Sequence, residues 1–551
     1  MDAQTVIHHR PIRPVLGDYI SAVSMNVQEE VHQTMALRMG GRSAGIGSTS
    51  LPDHRFPVQL ALDGKTASCT SGRFRETALA GGGSVGQVFT PPEVAELMAS
   101  WVDVTSSDVI RILDPGAGEG VLSIKLVERL APLRPTARFV VEAYELDESL
   151  AQVASTAFGK LAAKLAQEET ELSFTLHSSD YLAKWTDGPL LDAHSEPFDI
   201  VIQNPPYAKL RKASGQSRAA GKLVHGQPNI YALFLAKAAQ QLRPGGQMVA
   251  IAPRSWLSGS YFERMRVDFL RRMTLDRIHA FRNRGEVFGK DSVLQETIIL
   301  HARRSSETPR PHVELSVSEG LHDLHEPLVF TLPWSFMSPA GPQYPIRLPE
   351  TITQVAALRE LDKHRHSLVR LGLSVSTGPV VGFRAVQYLR STGKNGETCV
   401  PLLWISNVRK QGLSWGASPS DRQPPYLLQT RESTKMMTPG EELVLVRRFS
   451  AKEDRHRVIA CRVREGELGP LVAIENHLNV LRGFTGPRKD ELAEAVCNFL
   501  NSGLVDEYVR AVSGTTQVNA YDLASLPFPD RDTLLSEWRD SEEGRTWAGA
   551  S

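Results

Sequence analysis

Phe198-Asp199-Ile200-Val201-Ile202-Gln203-Asn204-Pro205-Pro206-Tyr207 is the stretch on which the reading of this chain turns. A short, β-branched apolar run ending in an amide, two prolines and an aromatic reads as a strand that stops abruptly at a loop. The prolines fix φ and remove backbone donors, so the carbonyls and the Asn204 amide are held in set directions. Tyr207 adds a flat face beside those acceptors. Such a corner suits a planar ring carrying an exocyclic amine. Taken alone the tetrapeptide is equally a strand-ending turn. The flanking sequence decides between the two.

Outward from that stretch, between Gln87 and Arg304, apolar runs of strand length fall at 110–113, 139–144, 172–176, 199–202, 247–252, 277–281 and 293–301. Between the first six lie amphipathic patterns at 121–130, 149–166, 229–242 and 261–273. In the third of these Ile230, Leu233, Phe234, Ala238 and Leu242 recur at helix spacing, and Pro244-Gly245-Gly246 ends the run. Strands alternating with helices predict a parallel sheet covered on both faces. The last two runs have no helix between them and are expected to pair antiparallel. The expected fold class is therefore α/β, with a seven-stranded mixed sheet.

Composition sets the outer bounds. A chain of 551 residues has room for roughly two or three domains with real cores. Lys+Arg and Asp+Glu are equal at 62 each, so any contact with nucleic acid must come from local patches. Cys69, Cys399, Cys461 and Cys497 lie far apart, without a C-x-x-C pair, which fits neither a disulfide framework nor a zinc knuckle. No secretory leader and no run of eighteen apolar residues is apparent, so a cytoplasmic protein is expected.

Three further places carry chemistry. Asp114-Pro115-Gly116-Ala117-Gly118-Glu119-Gly120 follows the first strand and opens a helix, and its glycines let the backbone pass close under a ligand. It is neither G-x-G-x-x-G nor a P-loop, and alone it is a weak signal. The second strand ends at Tyr144-Glu145-Leu146-Asp147, where an acid is placed to accept ribose hydroxyl protons. The third ends near Asp180-Tyr181, a carboxylate for an adenine amino group and an aromatic to cover its ring. Each acid alone is more commonly a solvated surface residue. In this order on consecutive strands they describe an adenosine cradle.

With these parts in this order the chain resembles the gamma-class N6-adenine DNA methyltransferases of the TaqI type, and more closely the PstI/BsuBI type. Gly86-Gln87-Val88-Phe89-Thr90-Pro91-Pro92-Glu93-Val94 resembles the family's first motif, placed ahead of the glycine turn, whose Thr touches the methionine end of S-adenosylmethionine. The resemblance implies a class I S-adenosylmethionine-dependent methyltransferase fold followed by an α+β target-recognition domain. It assigns cofactor binding to Thr90, Asp114, Gly116, Gly118, Glu145, Leu146, Asp180 and Tyr181, and catalysis to Asn204, Pro205, Pro206 and Tyr207. Gly285-Glu286-Val287-Phe288-Gly289 resembles the segment whose Phe packs on the flipped base, so Phe288 joins Tyr207 in stacking. The likeness covers residues 80–305 and, more loosely, 365–530. It runs through Thr377-Gly378-Pro379-Val380-Val381-Gly382-Phe383-Arg384 and Gly514-Thr515-Thr516-Gln517-Val518-Asn519-Ala520.

The implied reaction is transfer of a sulfonium methyl to adenine N6, aided by acceptors at Asn204 and the Pro205 carbonyl; it needs no metal, and none is implied. Three basic runs are candidates for gripping double-stranded DNA. Lys209, Arg211, Lys212, Arg218 and Lys222 follow the catalytic loop with no acid between Pro205 and Pro228. From Arg254 to Lys290 nine basic residues face four acidic ones. Arg447, Arg448, Lys452, Arg455, Arg457, Arg462 and Arg464 outweigh Glu453 and Asp454. Base readers are sought at 404–409 and near Trp415.

The expected organisation is an N-terminal extension (1–79), a catalytic domain (80–305), a connector with a few strands (306–345), a recognition domain (346–532) and a tail (533–551). In the recognition domain one C-terminal helix is expected over 489–512. The Gly81-Gly82-Gly83-Ser84 stretch reads as a hinge. Expected partners are duplex DNA and, unless the chain is an orphan, a separately encoded restriction endonuclease, with the chain a monomer. Three alternatives stay open: an RNA adenine methyltransferase, a protein glutamine methyltransferase, and an inactive DNA-binding protein of this fold.

Overall fold

The computed structural model describes residues 77–79, 83–85, 89–183, 196–208, 223, 229–283, 296–305, 311–339, 344–393, 398–416, 422–450, 454–513 and 516–541. Nine strands form one sheet: β1 (Val109–Pro115), β2 (Arg138–Tyr144), β3 (Leu172–His177), β4 (Phe198–Gln203), β5 (Leu242–Pro253), β6 (Met273–Phe281), β7 (Thr297–Arg304), β8 (His312–Ser318) and β9 (Leu328–Pro333). Their order is β9-β8-β6-β7-β5-β4-β1-β2-β3. β7 runs antiparallel to both its neighbours, β5 and β6, as the missing helix required. The seven expected strands thus lie in the 3-2-1-4-5-7-6 order of the class I methyltransferase fold.

Both faces of the sheet's inner strands are buried, because their apolar side chains alternate without a polar partner face. Ile110, Ile112, Ile200, Ile202, Val249 and Ile251 point to one core, with helices α1 (Pro92–Ser100), α2 (Val121–Leu130) and α3 (Glu148–Gln167). Leu113, Val201, Met248, Ala250 and Ala252 point to the other, with α4 (Ile230–Gln241) and α5 (Glu263–Arg272). The end of α4 is held by Arg304, which donates to the Gln240 carbonyl at 2.9 Å and also reaches the Leu242 carbonyl.

Three expectations are corrected. The sheet has nine strands and not seven, because the strands expected in the connector at 306–345 join it: β8 pairs parallel with β6 and β9 antiparallel with β8. The helix expected over 489–512 is two, α7 (Lys489–Leu500) and α8 (Gly503–Val512). Asn501 leaves the helix because its amide pairs with the Ala460 backbone N–H and C=O, each at 2.9 Å, and Ser502 caps α8. The tail beyond 532 holds α10 (Arg531–Asp540), whose Leu534, Leu535 and Trp538 are buried in the second domain's core. At the expected hinge, Thr77–Leu79 pairs antiparallel with Gly83–Val85.

The second domain is α+β. A four-stranded sheet runs β10 (Ser374–Thr377), β13 (Leu478–Arg482), β11 (Leu443–Arg447), β12 (Ala460–Val463), next to a five-stranded one. Helices α6 (Ile352–Leu361), α7, α8, α9 (Ala520–Ala524) and α10 complete it. Arg254, directly after β5, ties the halves together. It is 2% exposed and donates to Glu296 at 3.1 Å, Glu350 at 2.6 Å and the Arg510 carbonyl at 2.8 Å.

Candidate active site

The site lies at the carboxyl ends of β1, β2 and β4, where an open α/β sheet leaves its loops free to meet a ligand. After β1 the chain turns through Gly116, Gly118 and Gly120, all at positive φ (76°, 56° and 81°), which side chains with a Cβ resist. The Gly116 and Ala117 N–H groups both donate to the Tyr144 carbonyl, at 2.8 and 2.9 Å. Gly118 N–H donates to Glu145 Oε2 at 2.8 Å, while Glu145 Oε1 accepts from Asp147 N–H at 2.8 Å. The Glu145 carboxylate is therefore pinned across the mouth of the turn by two backbone donors. Asp114 is fully buried beneath the same turn, bonded to Ser123 Oγ, and burial pushes its carboxyl up to about 7.

Asn204 stands at the end of β4. Its Nδ2 donates to Thr90 Oγ1 at 3.1 Å, and its Oδ1 accepts from the Tyr207 hydroxyl at 3.0 Å. Pro205 is buried and Tyr207 half-buried, its ring edge-on to Tyr231. Burial pushes the Tyr207 hydroxyl well above its ordinary value, so it acts as a donor and not as a base. The corner and the glycine turn abut. A Cβ built on Gly116 would lie 3.7 Å from Pro206 Cδ and 3.9 Å from the Asn204 carbonyl oxygen.

Known proteins resemble this chain over most of its length. The family described as Eco57I restriction-modification methylase matches residues 139–288. The chain is 30% identical over 454 residues to the type II methyltransferase M.PstI of Providencia stuartii, covering 82% of this chain and 88% of that one. The corresponding match to type II methyltransferase M.BsuBI of Bacillus subtilis is 29% over 463 residues, 82% and 89%. The chain belongs to the type II methyltransferases. A shorter match, 28% over 179 residues, 31% of this chain and 60% of that one, is to a tRNA1(Val) (adenine(37)-N6)-methyltransferase of Cronobacter sakazakii.

The methyl donor of this fold is S-adenosylmethionine, and the geometry of this type II methyltransferase fits it. Gly118 faces open space, since a Cβ there would meet nothing within 4 Å, so a ligand can lie against the backbone. Leu146, next to the pinned Glu145, is 49% exposed and leaves an apolar side chain open to solvent beside the turn. Asp180 is half-buried and accepts from Leu182 N–H at 2.8 Å.

Of the residues expected from sequence, the structure brings Thr90, Gly116, Asn204, Pro206 and Tyr207 together, with Glu145 and Gly118 joined to each other beside them. Tyr181 is a correction. It is 3% exposed, packed against Tyr144, Phe234 and Lys237, and so presents no face to an adenine ring. Four arginines of the run at 447–464 are a second correction. Arg447 donates to the Val408 carbonyl at 2.7 Å, and Arg448 to Asn519, the Asn476 carbonyl and Gln517 at 3.3, 3.2 and 3.1 Å. Arg457 is buried, and Arg462 is paired with Glu442 and Glu494. These charges hold the protein's own loops. Trp404 is also buried, its indole N–H bonded to the Pro424 carbonyl at 2.8 Å. Trp415 packs edge-on to Tyr426, 5.5 Å between ring centres. Phe288, Lys209, Arg211, Lys212, Arg218, Lys222 and Lys452 lie outside the described residues.

Sequence reasoning missed Lys237. It is 7% exposed in α4, its ammonium donates to the Tyr181 carbonyl and lies 4.1 Å from that ring's centre, and burial pulls it down to about 8. The signal was present. Lys237 is the one charged residue in Ile230-Tyr231-Ala232-Leu233-Phe234-Leu235-Ala236-Lys237-Ala238-Ala239, and a lone ammonium in such a helix needs a buried partner.

Proposed function

We propose that the chain transfers the methyl group of S-adenosylmethionine to the N6 amino group of an adenine flipped out of a specific duplex DNA sequence. In this reading it is the modification component of a restriction-modification system, acts in the cytoplasm as a monomer, and has a separately encoded endonuclease as its counterpart. The observation that carries the reading is the Asn204 corner seated against the Gly116 turn. An acceptor pair for an exocyclic amine and a cradle for the methyl donor share one edge.

The bound cofactor supplies an electrophilic methyl on a sulfonium. The residues of this chain do the positioning. The adenine N6 lone pair is delocalised into the ring, and N–H bonds to Asn204 Oδ1 and the Pro205 carbonyl favour a more tetrahedral nitrogen with its lone pair aimed outward. Thr90 holds the amide in the plane this requires. The Tyr207 hydroxyl occupies Oδ1 until the base enters, then shares that oxygen or yields it. Its ring stacks on one face of the base, and Phe288, by resemblance, on the other. Lys209, Arg211 and Lys212 are assigned to the phosphates beside the flipped base.

Adenine N6 is supported by the name of the Cronobacter relative, which specifies adenine N6 in tRNA. That relative matches 31% of this chain, whereas the matches to M.PstI and M.BsuBI span 82%. The larger span favours duplex DNA over RNA. Incubation with methyl-labelled cofactor and duplex DNA, RNA or protein tests the reading. Label is expected in DNA, as N6-methyladenine on nucleoside analysis. Label in RNA or protein alone, or on cytosine, would reject it.

A further inference from the structure

The second domain carries an aromatic side chain whose exposure the fold does not explain. Phe383, in the single 3-10 turn Gly382–Arg384, is 79% exposed, and Val386 beside it is 65% exposed. The residues that flank them are fully anchored. Val380 is 0% and Ala385 1% exposed. Val380 N–H donates to the Ile474 carbonyl at 3.0 Å, and its carbonyl accepts from Asn476 N–H at 2.8 Å. Gly378 is pressed so close to the Glu475 carbonyl that a Cβ would lie 2.3 Å from it, and a Cβ on Gly382 would lie 3.2 Å from the Trp404 ring. A loop fastened this firmly at its base does not expose Phe383 by slackness. The ring is held outward, with the Arg384 guanidinium 5.4 Å from its centre.

A chain of contacts links this loop to the catalytic edge of the sheet. Asn476, which holds Val380, gives its carbonyl to Arg448, and Arg448 also holds Gln517 and Asn519. The Gln517 carbonyl accepts from the hydroxyl of Ser513, the residue after α8, and Arg510 in the last turn of that helix gives its carbonyl to Arg254. Arg254 directly follows β5, whose carboxyl end shares an edge with the Asn204 corner. Charge points to the same occupant. Between Asp362 and Glu397 the sequence has Lys363, Arg365, Arg370, Arg384, Arg390 and Lys394 and no acid. Lys363 is paired with Glu360 and Arg390 with the Gln387 and Leu389 carbonyls, so the charge offered to a polyanion rests on Arg365, Arg370 and Arg384.

We propose that Phe383 enters the base stack of the bound duplex beside the flipped adenine and fills the space that base leaves. Apolar side chains inserted between base steps are a known way of meeting the cost of unstacking. The proposal rests on the duplex-DNA reading above and adds a residue to it. The duplex would be gripped by the basic stretch while a preformed wedge keeps the target out.

The test uses the full chain and duplexes containing its own site, read from methylation-sensitive sequencing of DNA from expressing cells. One duplex is fully paired; in the other the target's partner is replaced by an abasic residue, which lowers the cost of extrusion. Phe383→Ala is expected to keep the wild-type melting temperature, because the ring is exposed. On the paired duplex its methylation rate should fall about ten-fold or more, with less 2-aminopurine fluorescence at the target position, and on the abasic duplex it should be within about two-fold of wild type. Phe383→Leu should retain most of the rate on both. Equal rates for Phe383→Ala and wild type on the paired duplex would overturn the wedge, as would an equal loss on both duplexes. A wild-type chain that methylates no duplex adenine would bring down the parent reading together with this one.

Discussion

Thr90 and Asn204 are 114 residues apart in sequence and joined by a 3.1 Å hydrogen bond from the Asn204 amide nitrogen to the Thr90 hydroxyl. With Tyr207 bonded to the other end of the same amide, the side chain is fixed from both sides before any ligand arrives. A planar amide held at both ends loses little freedom on binding a base, which is the advantage of a preorganised acceptor.

Removing the Thr90 acceptor tests this. Thr90→Val should lower the methyl-transfer rate by about ten-fold with little change in the dissociation constant for cofactor, and Thr90→Ser should restore it. Asn204→Ala should lower the rate by about two to three orders of magnitude or more with both ligands still bound. Single-turnover rates and calorimetric binding constants separate the effects. A large loss of cofactor affinity in Thr90→Val would instead place Thr90 on the cofactor.

Tyr207 has two separable parts. Tyr207→Phe removes the hydroxyl bonded to Asn204 and keeps the ring, so the rate should stay within about ten-fold of wild type. Tyr207→Ala removes the stacking face and should reduce flipping, read as 2-aminopurine fluorescence, much more strongly. Equal defects in the two variants would contradict the stacking role.

Lys237 braces the turn that carries Asp180 through the Tyr181 carbonyl. Lys237→Met should weaken cofactor binding several-fold while keeping the fold. Its pH behaviour has a definite sign. Burial lowers the folded value to about 8 from 10.5, so the unfolded chain holds that proton more tightly. The charged form costs stability below about pH 8, and that cost is relieved as pH rises toward 10.5. Melting curves from pH 7 to 10 should therefore rise less, or fall more, in Lys237→Met than in wild type.

Arg254 is buried with Glu296 and Glu350 against the carbonyls of Leu348 and Arg510. Truncation takes a cation from beside two carboxylates in a site with little water. Arg254→Ala should destabilise the chain by about 3–5 kcal/mol in denaturant titrations. If the domains also lose their relative placement, DNA binding should weaken more than cofactor binding does.

His279 sits 1% exposed between Ser316 and Ser318 hydroxyls at 2.8 and 3.0 Å, and burial pulls it down to about 4 from 6.5. The unfolded imidazole therefore takes up a proton first. Stability from this residue is intact above about pH 6.5 and is lost as pH falls toward 4. The loss should reach about 3 kcal/mol at most, and His279→Gln should flatten this part of the pH–stability curve.

The sequence by itself determined the alternation of strands and helices from β1 to β7, because the inner strands carry apolar side chains on both faces and most of the helices a 3.6-residue apolar stripe. It also determined the local chemistry of the turn at Gly116 and of the corner at Asn204, since prolines and left-handed glycines fix backbone shape within a few residues. Only the tertiary structure decided which side chains remain available. Tyr181 looks like a stacking face and is sealed by Tyr144, Phe234 and Lys237, while Arg447 and Arg448 look like phosphate contacts and hold the protein's own carbonyls and amides. Burial and pairing depend on partners tens to hundreds of positions away. Local pattern carries no record of them, and for that reason the link between Thr90 and Asn204, the clamp at Arg254 and the outward Phe383 appear only once the chain is folded.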